Sequence, residues 1–125
     1  MMTRAGSMGA LAMVTLAVTV PAPAHAHAVL VKSDPGSRAV LGYPPDRVQL
    51  WFNERLESAF STVSVWSKSG LRVDRQDAAV GPEDAKRLSV TLPPIEPGIY
   101  TVRFRVLSVD GHIADSSFRF TVKRR

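Results

Sequence analysis

The sequence predicts an all-β fold, a single seven-stranded antiparallel Greek-key β-sandwich of immunoglobulin-like type. Three observations carry that expectation. The dominant hydrophobic period is two, the apolar runs are short and bounded by Gly/Pro/Asp/Ser turns, and no long stretch follows a helical period. At 125 residues the chain has room for one domain.

Ala28 to Val31 is a short apolar run, and Asp34-Pro35-Gly36-Ser37 turns the chain after it. Gly42-Tyr43-Pro44-Pro45-Asp46 precedes a second strand, Val48-Gln49-Leu50-Trp51-Phe52. Glu54 to Phe60 has space for one helical turn. Thr62 to Trp66 alternates as a further strand and closes on Ser67-Lys68-Ser69-Gly70. A short strand is expected near Leu71 to Val73, then one at Leu88 to Leu92. Pro93-Pro94-Ile95-Glu96-Pro97-Gly98 leads into the longest strand, where Tyr100, Val102, Phe104 and Val106 alternate with Thr101, Arg103 and Arg105. Phe118, Phe120 and Val122 alternate with polar residues in the last strand. Ser108 to Ser116 joins these two, and Asp110-Gly111 marks a tight turn there.

Ahead of this domain, residues 1–26 read as a cleaved signal peptide and residues 27–125 as the mature domain. Arg4 precedes the uncharged, mostly apolar run Met8 to Val20, Pro21 and Pro23 end it, and two small-x-small sites follow, Ala22-Pro23-Ala24 and Ala24-His25-Ala26. The run is short for a bilayer span, so an uncleaved anchor is the lesser reading. The cut is expected after Ala26. A cut after Ala24 would leave His25-Ala26-His27 at the start, a short peptide able to bind Cu(II) or Ni(II) through its own amides.

The chain has no cysteine, and its four methionines, Met1, Met2, Met8 and Met13, all precede residue 27. No thiolate or thioether then remains for Cu(I) in the mature domain. The formal net charge is +5, with basic residues scattered from Arg72 to Lys123. On an exported protein these read as a solvated face, with attraction to anionic lipid or cell-surface polymer as a minor alternative, and no nucleic-acid partner is expected.

The chain has three histidines, His25, His27 and His112. If His27 becomes the first residue, its amine and imidazole form one chelate. With Asp110 and His112 that makes a nitrogen-rich set with one carboxylate, which suits Cu(II). Taken alone, Asp110-Gly111-His112 is more simply a polar hairpin turn, and His27 a terminal residue. Their joint occurrence after a signal cut favours a metal site, provided the first strand starts at the hairpin's end of the sandwich. Trp51 and Trp66 are read as packing residues, and Glu54 and Glu57 as solvated loop carboxylates.

Five segments in order resemble the CopC-type copper proteins. They are His27-Ala28-Val29-Leu30-Val31-Lys32-Ser33-Asp34-Pro35, Leu50-Trp51-Phe52-Asn53-Glu54, Pro97-Gly98-Ile99-Tyr100-Thr101-Val102, Val109-Asp110-Gly111-His112 and Ser117-Phe118-Arg119-Phe120-Thr121-Val122. The resemblance covers essentially all of the mature chain. It implies a periplasmic, non-enzymatic, monomeric Cu(II) protein of copper resistance, homeostasis or delivery, taking one Cu(II) per chain on His27, Asp110 and His112. Glu54 matches a family glutamate and is implied as an outer-shell partner; delivery to a membrane copper importer, delivery to an oxidase, and storage are the open alternatives for the copper. Ile113 stands where many relatives have proline, and the methionine-rich loop of some relatives is missing. A metal-free immunoglobulin-like scaffold or adhesion module is the rival reading, and a copper oxygenase a lesser one.

Overall fold

The computed structural model describes residues 28–124, together with residues 3, 6, 9, 10 and 12–17. His25, His27 and both candidate cut positions lie outside the described residues. No helix among the described residues is long and apolar enough to cross a membrane.

Two four-stranded sheets face each other. Their eight strands are β1 (Leu30–Asp34), β2 (Val40–Leu41), β3 (Arg47–Phe52), β4 (Thr62–Ser67), β5 (Ala79–Val80), β6 (Arg87–Thr91), β7 (Gly98–Leu107) and β8 (Ile113–Val122). One sheet runs β1-β3-β6-β5 and the other β2-β8-β7-β4. The all-β class and the two-layer architecture follow the alternation read from the sequence. Val48, Leu50 and Phe52 of β3, Val63 and Val65 of β4, and Tyr100, Val102, Phe104 and Val106 of β7 all turn inward and are buried. Across the sandwich Phe52 meets Phe104 edge to face, with centroids 5.4 Å apart. Within one sheet Tyr100 stacks on Phe120 at 5.5 Å.

Several details depart from the expectation. Among the described residues there are eight strands rather than seven, and β2 runs parallel to β8, so the pairing is not wholly antiparallel. β2 and β5 have two residues each, too few for any period to register. No strand forms over Leu71 to Val73. That stretch makes one isolated bridge, Trp66 to Arg72, flanked by bonds from the Ser67 amide to Leu71 O and from the Val73 amide to Val65 O at 2.8 Å each, and the buried Asp74 carboxylate then takes the Val65 amide. Asp74 accepts from the Val65 and Gln76 amides, each at 2.8 Å, and from Arg72 Nε at 2.9 Å. The bond to Val65 occupies a donor that a bare edge would offer to another chain. The first strand lies at Leu30–Asp34 rather than Ala28 to Val31, although Ala28 is buried in the core.

The β7–β8 hairpin is the longest ladder, with ten antiparallel pairs from Gly98–Val122 to Leu107–Ile113. β8 starts earlier than the sequence suggested, and the connection shrinks to Ser108 through His112. The expected helical turn in 54–60 is a single 3-10 turn at Ser58–Phe60.

Candidate functional site

The connection of the β7–β8 hairpin is built on one buried hydroxyl. Ser108 is 1% exposed, and its Oγ accepts from the His112 amide at 3.1 Å while its O–H faces the Asp110 carboxylate and the His112 carbonyl. The Ser108 amide donates to His112 O and the Gly111 amide to Ser108 O, each at 2.9 Å. Gly111 takes φ +92°, a conformation that side-chain-bearing residues rarely adopt. This arrangement sets Asp110 Oδ1 3.2 Å from His112 Nδ1. The Nδ1 atom is itself buried, and both side chains are partly covered.

The Asp110 carboxyl titrates below its ordinary value. The Ser108 hydrogen bond is the main cause, partial burial opposes it, and the neighbouring His112 lowers it further. Asp110 is therefore a carboxylate at neutral pH, beside an imidazole. Two ligand atoms bound at right angles to one ion, each about 2.0–2.1 Å from it, lie about 2.9 Å apart. The observed 3.2 Å is close to that spacing, and it equally suits a carboxylate that orients an imidazole for a metal at its other nitrogen.

Segment 53–57 ties this loop to the start of the first strand. The Val29 amide donates to Asn53 Oδ1 at 2.7 Å and the Asn53 amide returns a bond to Val29 O at 3.1 Å. Three residues on, Leu56 bridges Ser108, and the Val109 amide donates to Arg55 O at 2.9 Å. Ala28 and Val29 also share an open groove of about 560 Å³ with Ile113 and Ala114, which directly follow His112. The entry to β1 and the Asp110–His112 loop thus occupy one end of the sandwich.

Of the residues singled out in the sequence, Asp110 and His112 come together. His27 is outside the described residues, although the residue after it, Ala28, sits at this end. Glu54 lies within the tying segment, half-buried, and makes no hydrogen bond or ion pair with a described residue. Among the described residues, no group of three or more His, Cys, Asp or Glu side chains could hold a metal. Asp110 and His112 supply two donors, and a third would have to come from elsewhere. Two structural participants escaped the sequence reading, Ser108 and Asn53. Ser108 could have been found from its place in Ser108-x-Asp110-x-His112, a spacing at which a hydroxyl reaches the backbone and side chains just ahead of it. Asn53 carried no signal beyond its place after a strand and within the family-like segment Leu50-Trp51-Phe52-Asn53-Glu54.

Comparison with known proteins gives a consistent result. The chain is 33% identical over 115 residues to protein YobA of Escherichia coli strain K12, covering 91% of this chain and 92% of that protein. It is 28% identical over 106 residues to the copper transport protein CutJ of Bacillus subtilis strain 168, covering 84% of this chain but 20% of CutJ, so it spans about a fifth of that relative's length. Among solved structures, CopC from Methylosinus trichosporium OB3b superposes with a TM-score of 0.73 at 33% identity, covering 78% of this chain and 94% of that one. PcoC, a copper resistance protein from Escherichia coli, gives 0.68 at 28% identity, covering 76% and 99%. The CopC domain matches residues 30–123, nearly the whole described sandwich, and the chain belongs to the CopC domain family.

Proposed function

We propose that the chain is an exported Cu(II) carrier or buffer serving copper resistance, homeostasis or delivery. In this reading residues 1–26 are removed as a signal peptide. His27, as first residue of the periplasmic protein, gives its amine and imidazole to one Cu(II), with Asp110 and His112 completing the set. Glu54 is an outer-shell partner. The protein works as a monomer without turnover, and a membrane copper importer is the receiving partner. The observation that carries the reading is the Asp110–His112 pair, held at 3.2 Å on buried Ser108 at the end where the chain enters β1. Three nitrogens and a carboxylate near a plane suit Cu(II). With every methionine ahead of residue 27 and no cysteine, the soft donors that Cu(I) prefers are missing from the remainder. The relatives named as copper transport and copper resistance proteins add support.

The test is intact mass spectrometry of the secreted protein with and without Cu(II), together with its melting temperature. The expected result is a start at His27, one added copper, a higher Tm with copper, and loss of both copper effects in His112→Ala. A start elsewhere, or a Tm indifferent to copper, sinks the proposal; the second result is what a metal-free scaffold would give.

A further inference from the structure

A second concave feature lies on the outer face of the β2-β8-β7-β4 sheet, toward the end remote from the Asp110–His112 loop. Strand register builds its floor. Trp66 of β4 pairs with Thr101 of β7, and Thr101 pairs with Arg119 of β8. Trp66 is held in place by its indole N–H, which donates to Ser64 Oγ at 2.8 Å. Arg103, two places along β7 on the same face, lies over the Trp66 ring at 5.3 Å. Lys68 closes the groove from the turn after β4, giving a cavity of about 360 Å³.

The groove gathers three cations and no carboxylate. Lys68, Arg103 and Arg119 form no ion pair with a described residue, whereas Arg47, Arg72 and Arg105 each have an aspartate partner. Three like charges around one hollow raise the local potential, and an anion shared among them relieves it. Arginine forks match phosphate oxygens well, and Thr101 adds a hydroxyl at the floor. Beside the cations stand apolar side chains open to solvent: Ile99 in the groove wall, and Leu71, 67% exposed, next to the lining residue Gly70. Cations interleaved with exposed apolar groups are what a protein uses to rest on an anionic lipid surface.

We propose that this groove is a phosphate site through which the sandwich docks on a bilayer of anionic phospholipid. The arginines and Lys68 take the headgroup phosphate, and Leu71 and Ile99 meet the interface. The inference does not depend on the copper reading. β7 carries Ile99 near its start and delivers Ser108 beyond its end, nine residues or about 30 Å along the strand, so Asp110 and His112 lie outside the docked groove.

The test is co-sedimentation of the secreted protein with vesicles of phosphatidylcholine, with or without phosphatidylglycerol, in about 0.1 M salt, where the screening length is about 10 Å. Binding is expected with the mixed vesicles alone. The double variant Arg103→Gln/Arg119→Gln should lose about 30-fold in partitioning, the loss expected for two cations at an anionic surface. The charge-matched control Arg47→Gln/Arg75→Gln should keep it. Equal loss in both double variants would reduce the effect to net charge and overturn the site. So would equal binding to neutral vesicles. Stabilisation by inorganic phosphate over chloride at matched ionic strength, without vesicle binding, would make free phosphate the ligand and overturn the lipid assignment. All four arginines are surface residues, and a Tm unchanged within about 3 °C marks the folded variants.

Discussion

Ser108→Ala removes the hydroxyl on which the Asp110–His112 loop is built, and its cost can be worked from the contacts. The Oγ accepts from the His112 amide at 3.1 Å, so the variant leaves that donor without its partner at a position where the serine is 1% exposed. A hydrogen bond of this kind is worth about 1 kcal/mol net. The charge-assisted bond to Asp110 is worth more in isolation, but water can replace it, because the carboxylate side chain is 39% exposed. The combined loss is about 2 kcal/mol, a fall in Tm of about 10 °C for a domain of this size. Copper affinity should fall by about 10- to 100-fold, as it does when an orienting partner of a metal ligand is lost. Thermal denaturation of the metal-free protein measures the first effect, and competition against a Cu(II) chelator the second. A variant that melts with the parent and keeps its affinity would refute the role given to the hydroxyl. If His112→Ala abolishes binding while Ser108→Ala leaves it intact, the positioning argument fails and the copper site stands.

Four further outcomes are expected. Asp74→Ala should cost about 3 kcal/mol, because it strips a buried acceptor from Arg72 and from two backbone amides, and urea unfolding reads this directly. Burial opposes ionisation of Asp74, but the Arg72 bond and charge and the two amides outweigh it, so the pKa lies below the usual 3.8. Its contribution is then complete above the unfolded-state pKa and fades as pH drops below about 3.8 through the lower folded value; urea midpoints across that window should fall less steeply in Asp74→Asn than in the parent. Phe120→Ala, which empties a fully buried position stacked on Tyr100, should cost about 3–5 kcal/mol in the same assay. Copper should leave the loaded protein as the solution is acidified below about pH 6, since amine and imidazole donors bind only without their protons; dialysis at stepped pH with copper quantitation checks this.

Alternation made the long strands legible. Tyr100 to Val106 and Phe118 to Val122 point one set of side chains at the core, and a pattern of that length survives any tertiary context. β2 and β5 were not legible because two residues carry no period and owe their place to neighbours: the β8 edge for Val40–Leu41 and β6 for Ala79–Val80. Leu71 to Val73 misled for a related reason. Leu71 and Val73 do bond the β4 backbone around the Trp66–Arg72 bridge, but Asp74 takes the next amide, that of Val65, and ends the pairing there. At the site, Asp110 and His112 could be named because their residue types and the turn between them are local facts. The organising role of Ser108 could not, since it depends on a burial that only the packed hairpin creates. Nor could the tie between Asn53 and Val29, which joins residues 24 apart in the chain.

Ten consecutive pairs between β7 and β8 leave that ribbon no freedom to slide. A displacement of one residue would send Phe120 to solvent and bring Arg119 into the apolar interior. The five residues that carry Asp110 and His112 are therefore spliced between fixed rails. Any tuning of their grip has to come from exchanging side chains, because a longer or shorter splice would break the rails or pull the two donors apart.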